Sequence, residues 1–261
     1  MNDPGDATRP PPRPEIWIDR GGTFTDCVLR DPASGRLSAV KVLSSAGAPL
    51  EGIRALLGLG PDAPLPPCDV RLGTTLVTNA LLERRFARTL LVVTRGFGDV
   101  LAIGDQTRPE LFALRVERPP PLHEAVLEVD ARLGADGVVL ARPDRAEVRR
   151  ALAAARARGL ECAAVLVVNA HLDGALEREL GALCHEAGFG MVALSHEVAP
   201  RIGLVVRGET TVLHAALTPE LRRHLQALEG ALAGGSLRVL QSSGGLTGLA
   251  RLRAPHAALS G

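Results

Sequence analysis

Ile18-Asp19-Arg20-Gly21-Gly22-Thr23-Phe24-Thr25-Asp26 joins two short apolar runs through a double glycine. On its amino side EIWID (15–19) is a predicted strand ending in a carboxylate. On its other side FTDCVLR (24–30) alternates in part between apolar and polar residues and is a second predicted strand. DPASG then supplies a turn, with Asp31-Pro32 opening it and Gly35 available for positive φ, before LSAVKVL (37–43). This order predicts a three-strand meander rather than a βαβ crossover. The glycines let the backbone approach a ligand, and successive N–H groups there can cradle phosphate oxygens. The hydroxyls of Thr23 and Thr25 add donors, and Asp19 suits the water shell of a magnesium ion. A plain hairpin turn, with Asp19 and Asp26 as turn residues, accounts for the same letters. The segment is not a Walker A loop, lacking the G-K-[ST] ending, and it has no GxGxxG fingerprint.

Further along, the sequence predicts a helix over Glu51–Leu59 stopped by Gly60-Pro61, and a second one capped by Thr74 or Thr75. TLLVVT (89–94) is a predicted buried strand, and 96–121 a long connection. AVLEVDARL and GVVLAR are expected to form a hairpin around GADG. Helices are predicted over Asp144–Arg158, Gly174–Ala187 and Glu209–Leu232, Pro219 ending or kinking the first part of the last. CAAVLVVNA, MVALS and SLRVLQSSGG are predicted strands. Such alternation indicates an α/β protein with a mixed or parallel sheet.

The 261 residues are 46% hydrophobic and 23% charged, with a net charge of +1, so a nucleic-acid surface or an acidic partner is not expected. Lys41 is the one lysine among 30 basic residues, a skew that reads as coding bias rather than as a binding surface. Cys27, Cys68, Cys162 and Cys184 form no CxxC pair and are expected to be buried reduced thiols. No apolar run approaches the ~20 residues of a membrane span, and residues 1–14 are expected to be a disordered lead-in to a cytoplasmic chain.

Two more glycine-bearing turns are candidate sites. Gly73-Thr74-Thr75-Leu76-Val77-Thr78-Asn79 places a helix amino terminus where an anion or polarised carbonyl is favoured, although capping by Thr74 or Thr75 explains it too. Gln241-Ser242-Ser243-Gly244-Gly245 follows a predicted strand, at the end where α/β sheets bind ligands. Asp105, Gln106 and Arg108 lie in the long connection, and His171 follows a strand as a ligand, a base or a merely hydrogen-bonded residue. Ser195-His196-Glu197 has the residue types of a nucleophile and its base. Adjacent residues on a strand point to opposite faces, and no GxSxG elbow exists, so a serine hydrolase is rejected.

Taken together, WIDRGGTFTDCV, LGTTLVTNALLERR, VVTRGFGDVLAIGDQTRPELF, VLEVDARL, LSHEVAPRIGLVVRGETTV and LQSSGGLT with the terminal LSG resemble the hydantoinase A/5-oxoprolinase family. They are collinear and cover nearly all of Glu15–Gly261. Arg20, IGDQTRP and VVRGETTV resemble the 5-oxoprolinase branch more than the hydantoinases. The resemblance implies the actin-like, sugar-kinase-like ATPase fold, with mixed sheets and incomplete at the carboxyl end. The domains implied are 15–195, the amino-terminal domain, and 196–261, the start of a central one. It implies ATP and Mg²⁺ as cofactors, with Asp19, Gly21, Gly22, Thr23 and Thr25 meeting phosphates and metal and Ser243, Gly244, Gly245 and Ser260-Gly261 approaching the second phosphate region. Thr74, Thr75, Asn79, Gln106 and Arg108 are the expected substrate contacts. The implied reaction phosphorylates the lactam carbonyl of 5-oxo-L-proline and hydrolyses it to glutamate. The rivals are an N-methylhydantoinase, an acetone-carboxylase-like subunit and a non-catalytic small-molecule-binding module. Ser243, Thr107 and His214 depart from the family's usual residues. No PAGG-like loop or adenosine segment follows LSG, so a fragment inactive alone is expected, completed by a carboxyl-terminal half or a hydantoinase B-like subunit.

Overall fold

The computed structural model describes residues 13–107, 112, 114, 119–232 and 234–258. The lead-in up to residue 12, Arg108 and Ser260-Gly261 lie outside them. In chain order the elements begin with β1 (Glu15–Arg20), β2 (Phe24–Arg30), β3 (Leu37–Leu43), α1 (Ala48–Leu57), β4 (Asp69–Thr74) and α2 (Leu76–Leu82). Next come β5 (Thr89–Thr94), α3 (Val100–Ile103), β6 (Ala125–Val129), β7 (Arg132–Leu133), β8 (Val139–Ala141) and α4 (Arg145–Ala157). The remainder is β9 (Cys162–Leu166), α5 (Ala175–Glu186), β10 (Met191–Leu194), α6 (Ser195–Val198), α7 (Leu204–Ala231), β11 (Ser236–Leu240) and β12 (Leu246–Thr247). Two compact units result: Met1–Leu82 with Leu221–Leu252 and His256–Gly261, and Glu83–Glu220 with Arg253–Pro255.

The first unit is built on a six-stranded mixed sheet of order β12-β11-β4-β1-β2-β3. The meander is present: β1 pairs antiparallel with β2, and β2 with β3. β4 then pairs parallel to β1, and β11 parallel to β4. Alternation in β1 and β2 buries Ile16, Ile18, Thr25 and Cys27 on one face, while Trp17, Asp19 and Asp26 occupy the other. α1 lies so close to the buried face that a Cβ on Gly52 would sit 2.3 Å from the Cys27 sulfur. The helix starts earlier than expected because Pro49 opens its first turn, and ends earlier because Gly58 takes the left-handed conformation (φ 66°).

The second unit carries a parallel sheet of order β10-β9-β5-β6. Every residue of β5 is buried, Leu90 and Val92 in one apolar cluster and Leu91 and Val93 in another. A strand covered on both faces reads as an unbroken apolar run, as TLLVVT does. The expected hairpin is smaller than the sequence suggested. AVLEV joins β5 in parallel, and only β7 and β8 form the hairpin. The run breaks because Ala131 N–H turns back to the Val129 carbonyl, while Thr94 Oγ1 takes the Ala131 carbonyl. α3 interrupts the long connection. α7 begins five residues before the expected start and runs through Pro219 without ending. Thr218 Oγ1 donates to the His214 carbonyl 2.6 Å away, one turn below this proline.

Candidate functional site

Because β1, β4 and β11 run parallel, their carboxyl ends share one edge of the first unit's sheet. The three glycine-bearing turns singled out in the sequence follow these three ends. At the first, Gly21 N–H bonds the Phe24 carbonyl at 3.0 Å and closes the hairpin. Ser44 braces the turn from beneath: its Oγ donates to the Gly21 carbonyl at 2.8 Å and lies 2.9 Å from Thr25 Oγ1. Thr25 is wholly buried on the α1 face, so its hydroxyl supports the turn from inside rather than lining the open face. Gly22 and Thr23 form the tip.

The second turn is tied to the first. Thr75 N–H and Oγ1 both donate to the Arg20 carbonyl, at 3.0 and 3.2 Å. Thr74 is buried and its Oγ1 accepts from Leu76 N–H, the capping role foreseen for it. Asn79 Nδ2 lies 3.3 Å from Thr75 Oγ1, and a Cβ on Gly22 would come 3.5 Å from that nitrogen. Gly22, Thr75 and Asn79 are therefore neighbours although the sequence separates them.

At the third turn Gly244 takes φ 82°, a conformation glycine adopts without strain, and Gln241 N–H reaches the Gly245 carbonyl at 2.8 Å. Ser242 is held through its N–H and Oγ by the His256 carbonyl, at 2.7 and 2.9 Å. Ser243 and Gly245 are exposed.

A cavity of about 500 Å³ opens along this edge and the adjoining sheet face, lined by Trp17, Asp19, Asp26, Arg71, Gly73 and Gly244 among others. Asp19 and Asp26 are cross-strand partners, and Asp26 is engaged by Lys41 Nζ at 2.6 Å. Beside Asp26, burial and then that carboxylate's charge push the Cys27 thiol up to about 11. Trp17 and Arg71 were missed by the sequence reading. The Arg71 guanidinium stacks on the Trp17 ring at 4.8 Å and reaches Glu15 at 3.5 Å, while its buried NH1 has no hydrogen-bond partner among the described residues. The signal was period two: Trp17 and Arg71 are paired in register on the face opposite the core.

No group of three or more His, Cys, Asp or Glu side chains among the described residues is placed to hold a metal ion. With Lys41 on Asp26, Asp19 is the available carboxylate, a donor set that fits magnesium held by one carboxylate, its own waters and phosphate oxygens. Of the other expected contacts, Gln106 belongs to the second unit. It is exposed, at φ 61°, in a turn where Asp105 Oδ1 accepts from Thr107 N–H and Oγ1.

The second unit corrects one reading outright. Ser195 and His196 do not lie on a strand: they open α6, and both turn to Glu177. Ser195 Oγ donates to Glu177 Oε1 at 2.5 Å, and His196 N–H and Nδ1 meet Oε2 at 2.9 and 2.7 Å. The carboxylate also takes Val167 N–H at 2.8 Å, which ends β9 short of its apolar run. Arg207, 1% exposed, donates to Ser195 Oγ, to the Val167 carbonyl and to His171 Nδ1. Burial pushes this guanidinium down, and Glu177 opposes the shift. With its oxygen committed to Glu177 and Arg207, Ser195 is not an activated nucleophile.

In α/β proteins, glycine turns gathered at the carboxyl ends of parallel strands stand where small-molecule ligands are commonly held. The pattern of the hydantoinase/oxoprolinase N-terminal region matches residues 15–188, and the chain belongs to that family. It is 33% identical to the 5-oxoprolinase of Saccharomyces cerevisiae, over 94% of its own length and 23% of that protein's. It is 28% identical to the ATP-dependent caprolactamase of Pseudomonas jessenii in its crystal structure, with a TM-score of 0.76, covering 95% of this chain and 38% of that one. The nucleotide-free structure of acetone carboxylase superposes with a TM-score of 0.81 at 20% identity, over 94% of this chain and 38% of the other, a likeness of fold alone. The chain thus spans about a quarter of the length of the curated 5-oxoprolinases it matches.

Proposed function

We propose that this chain forms part of an enzyme that opens a cyclic amide at the expense of ATP, with 5-oxo-L-proline as the substrate of first choice. The observation that carries the reading is the gathering of the Gly22, Thr75 and Gly244 turns on one sheet edge beside Asp19. The relatives' names, 5-oxoprolinase and ATP-dependent caprolactamase, point the same way.

An amide oxygen is a poor leaving group until it is phosphorylated. In the proposed reaction the lactam oxygen bonds to the γ-phosphorus as ADP departs. Water then adds to the activated carbon, the ring C–N bond breaks with the nitrogen taking up a proton to leave an acyl phosphate, and a second water cleaves that acyl phosphate into the carboxylate and inorganic phosphate. Phosphoryl transfer needs mainly positioning and charge neutralisation. The amides of Gly22 and Thr23 and the Thr23 hydroxyl would donate to phosphate oxygens. Thr25, through Ser44, would keep that turn in shape. Asp19 would hold the water shell of Mg²⁺, which supplies charge neutralisation when bound. Ser243, Gly244 and Gly245 would approach the phosphates from the third turn. Thr75 and Asn79, beside the Gly22 turn, would serve the lactam, and a further segment or a hydantoinase B-like subunit would complete the enzyme.

The test is phosphate release by the gene product carrying this sequence, with ATP and a panel of 5-oxo-L-proline, hydantoin, caprolactam and acetone. Release dependent on 5-oxo-L-proline, and lost in Asp19→Ala, is expected. Release that ignores every cyclic amide would overturn the proposal.

A further inference from the structure

Lys41, the one lysine of the chain, holds both oxygens of Asp26 from the neighbouring strand: Nζ donates to Oδ2 at 2.7 Å and lies 2.6 Å from Oδ1. The pairing sets these residues in one row on the outward face of the first unit's sheet. Lys41 of β3 stands opposite Asp26 of β2, Asp26 opposite Asp19 of β1, and Asp19 beside Gly73 of β4. Asp19, Asp26 and Gly73 line the cavity of about 500 Å³, and Lys41 closes the row at its far end. Its Nζ also sits 5.3 Å from the centre of the Phe24 ring, the residue that follows the Gly22-Thr23 tip. β3 is fastened to that same tip, because Ser44 N–H donates to the Thr23 carbonyl at 2.9 Å.

Like charges set directly opposite on antiparallel strands repel, and Asp19 and Asp26 are such a pair. As a source of stability the Lys41–Asp26 bridge is worth little, with the two side chains 57% and 50% exposed. What it changes is the charge that the row presents to a ligand. With Lys41 the row carries one net negative charge, on Asp19; without it two carboxylates stand uncompensated beside turns that would receive a polyanion. Arg71, the cation among the residues lining the cavity, is shared with Glu15 at 3.5 Å. We infer that Lys41 is a positioning residue for phosphate: by neutralising Asp26 it leaves Asp19 the single net charge of the row, which lets the edge accept magnesium-bound ATP. The inference rests on the phosphate reading above. Lys41 acts through Asp26 and need not touch the nucleotide. Two strand spacings separate β3 from β1, about 10 Å. Removing a unit charge at that range changes the affinity for an anion roughly three- to tenfold.

The experiment is calorimetric titration of the whole chain with MgATP at ~0.01 M and ~1 M salt, between which the screening length falls from ~30 to ~3 Å. The proteins are wild type, Lys41→Met, Lys41→Arg and the double variant Lys41→Met/Asp26→Asn; the pair is exposed, so all should fold, as circular dichroism checks. Lys41→Met should bind roughly three- to tenfold more weakly than wild type at low salt and within about twofold of it at high salt. Lys41→Arg keeps the charge, and the double variant removes the carboxylate with the cation, so both should match wild type. A purely structural bridge predicts a loss that salt does not erase and that Asp26→Asn does not repair. Either of those results, or wild-type affinity in Lys41→Met at low salt, would overturn the inference and leave the proposed function standing. A wild-type chain that binds no MgATP at either salt would sink both.

Discussion

Replacing either buried charge of the second unit alone should cost far more than replacing a surface pair. Glu177 is wholly buried and Arg207 is 1% exposed, and Ser195 Oγ bridges them at 2.5 and 2.8 Å. Glu177→Leu strands the guanidinium and orphans Val167 N–H and His196 N–H. Arg207→Met strands the carboxylate. Breaking one side of a buried pair costs ~3–5 kcal/mol, because an uncompensated charge stays in low dielectric. Removing both charges also removes that penalty, so the double variant should lose ~1–3 kcal/mol less than the sum of the singles. The assay is urea unfolding of the wild type, both singles and the double, followed by circular dichroism. With slopes of ~1–3 kcal/mol/M, each single variant should lower the midpoint by at least ~1 M. Singles that cost under ~1 kcal/mol, or strict additivity in the double, would show that water already solvates these groups and would refute the argument.

Three further outcomes follow from the packing. Gly174→Ala places a Cβ 2.2 Å from the His196 ring, so the ring must leave Glu177; a loss of ~1–3 kcal/mol with a changed His196 NMR signal is expected. Gly52→Ala drives a Cβ to within 2.3 Å of the Cys27 sulfur and should destabilise the first unit by a similar ~1–3 kcal/mol, relieved in part by Cys27→Ala, as a urea series would measure. Burial pushes the Cys162 and Cys184 thiols up to about 12 from an ordinary 9.0, the Glu161 charge adding to the shift at Cys162. Both should therefore resist a thiol reagent at pH 8 until the chain unfolds. The stability linked to their protonation is complete below pH 9 and lost as pH rises towards 12, because the unfolded state releases the proton first.

Much of this was legible because the first unit is governed by local rules. Alternation in EIWID and FTDCVLR fixed the meander, and glycine after each strand marked the three turns that the parallel register of β1, β4 and β11 brings to one edge. That convergence was invisible, since no spacing reports that Gly22 and Asn79 are neighbours. Trp17 and Arg71 escaped because an outward face of a strand looks like ordinary surface. The network of Glu177 and Arg207 escaped for a different reason. Its partners come from β9, α5, α6 and α7, and its hydrogen bonds replace the ladder that CAAVLVVNA would otherwise continue. The assignment of Ser195 to a strand failed there too: once Glu177 takes its hydroxyl and the next N–H, the chain turns into α6.

The central claim is that the Asp19 edge receives the phosphates of ATP. The most direct test is amide NMR of the whole chain titrated with MgATP. Shifts gathered at Gly21, Gly22, Thr23, Thr75, Gly244 and Gly245, and weakened in Asp19→Ala, are the predicted result. Saturating MgATP that leaves those amides unmoved would contradict it.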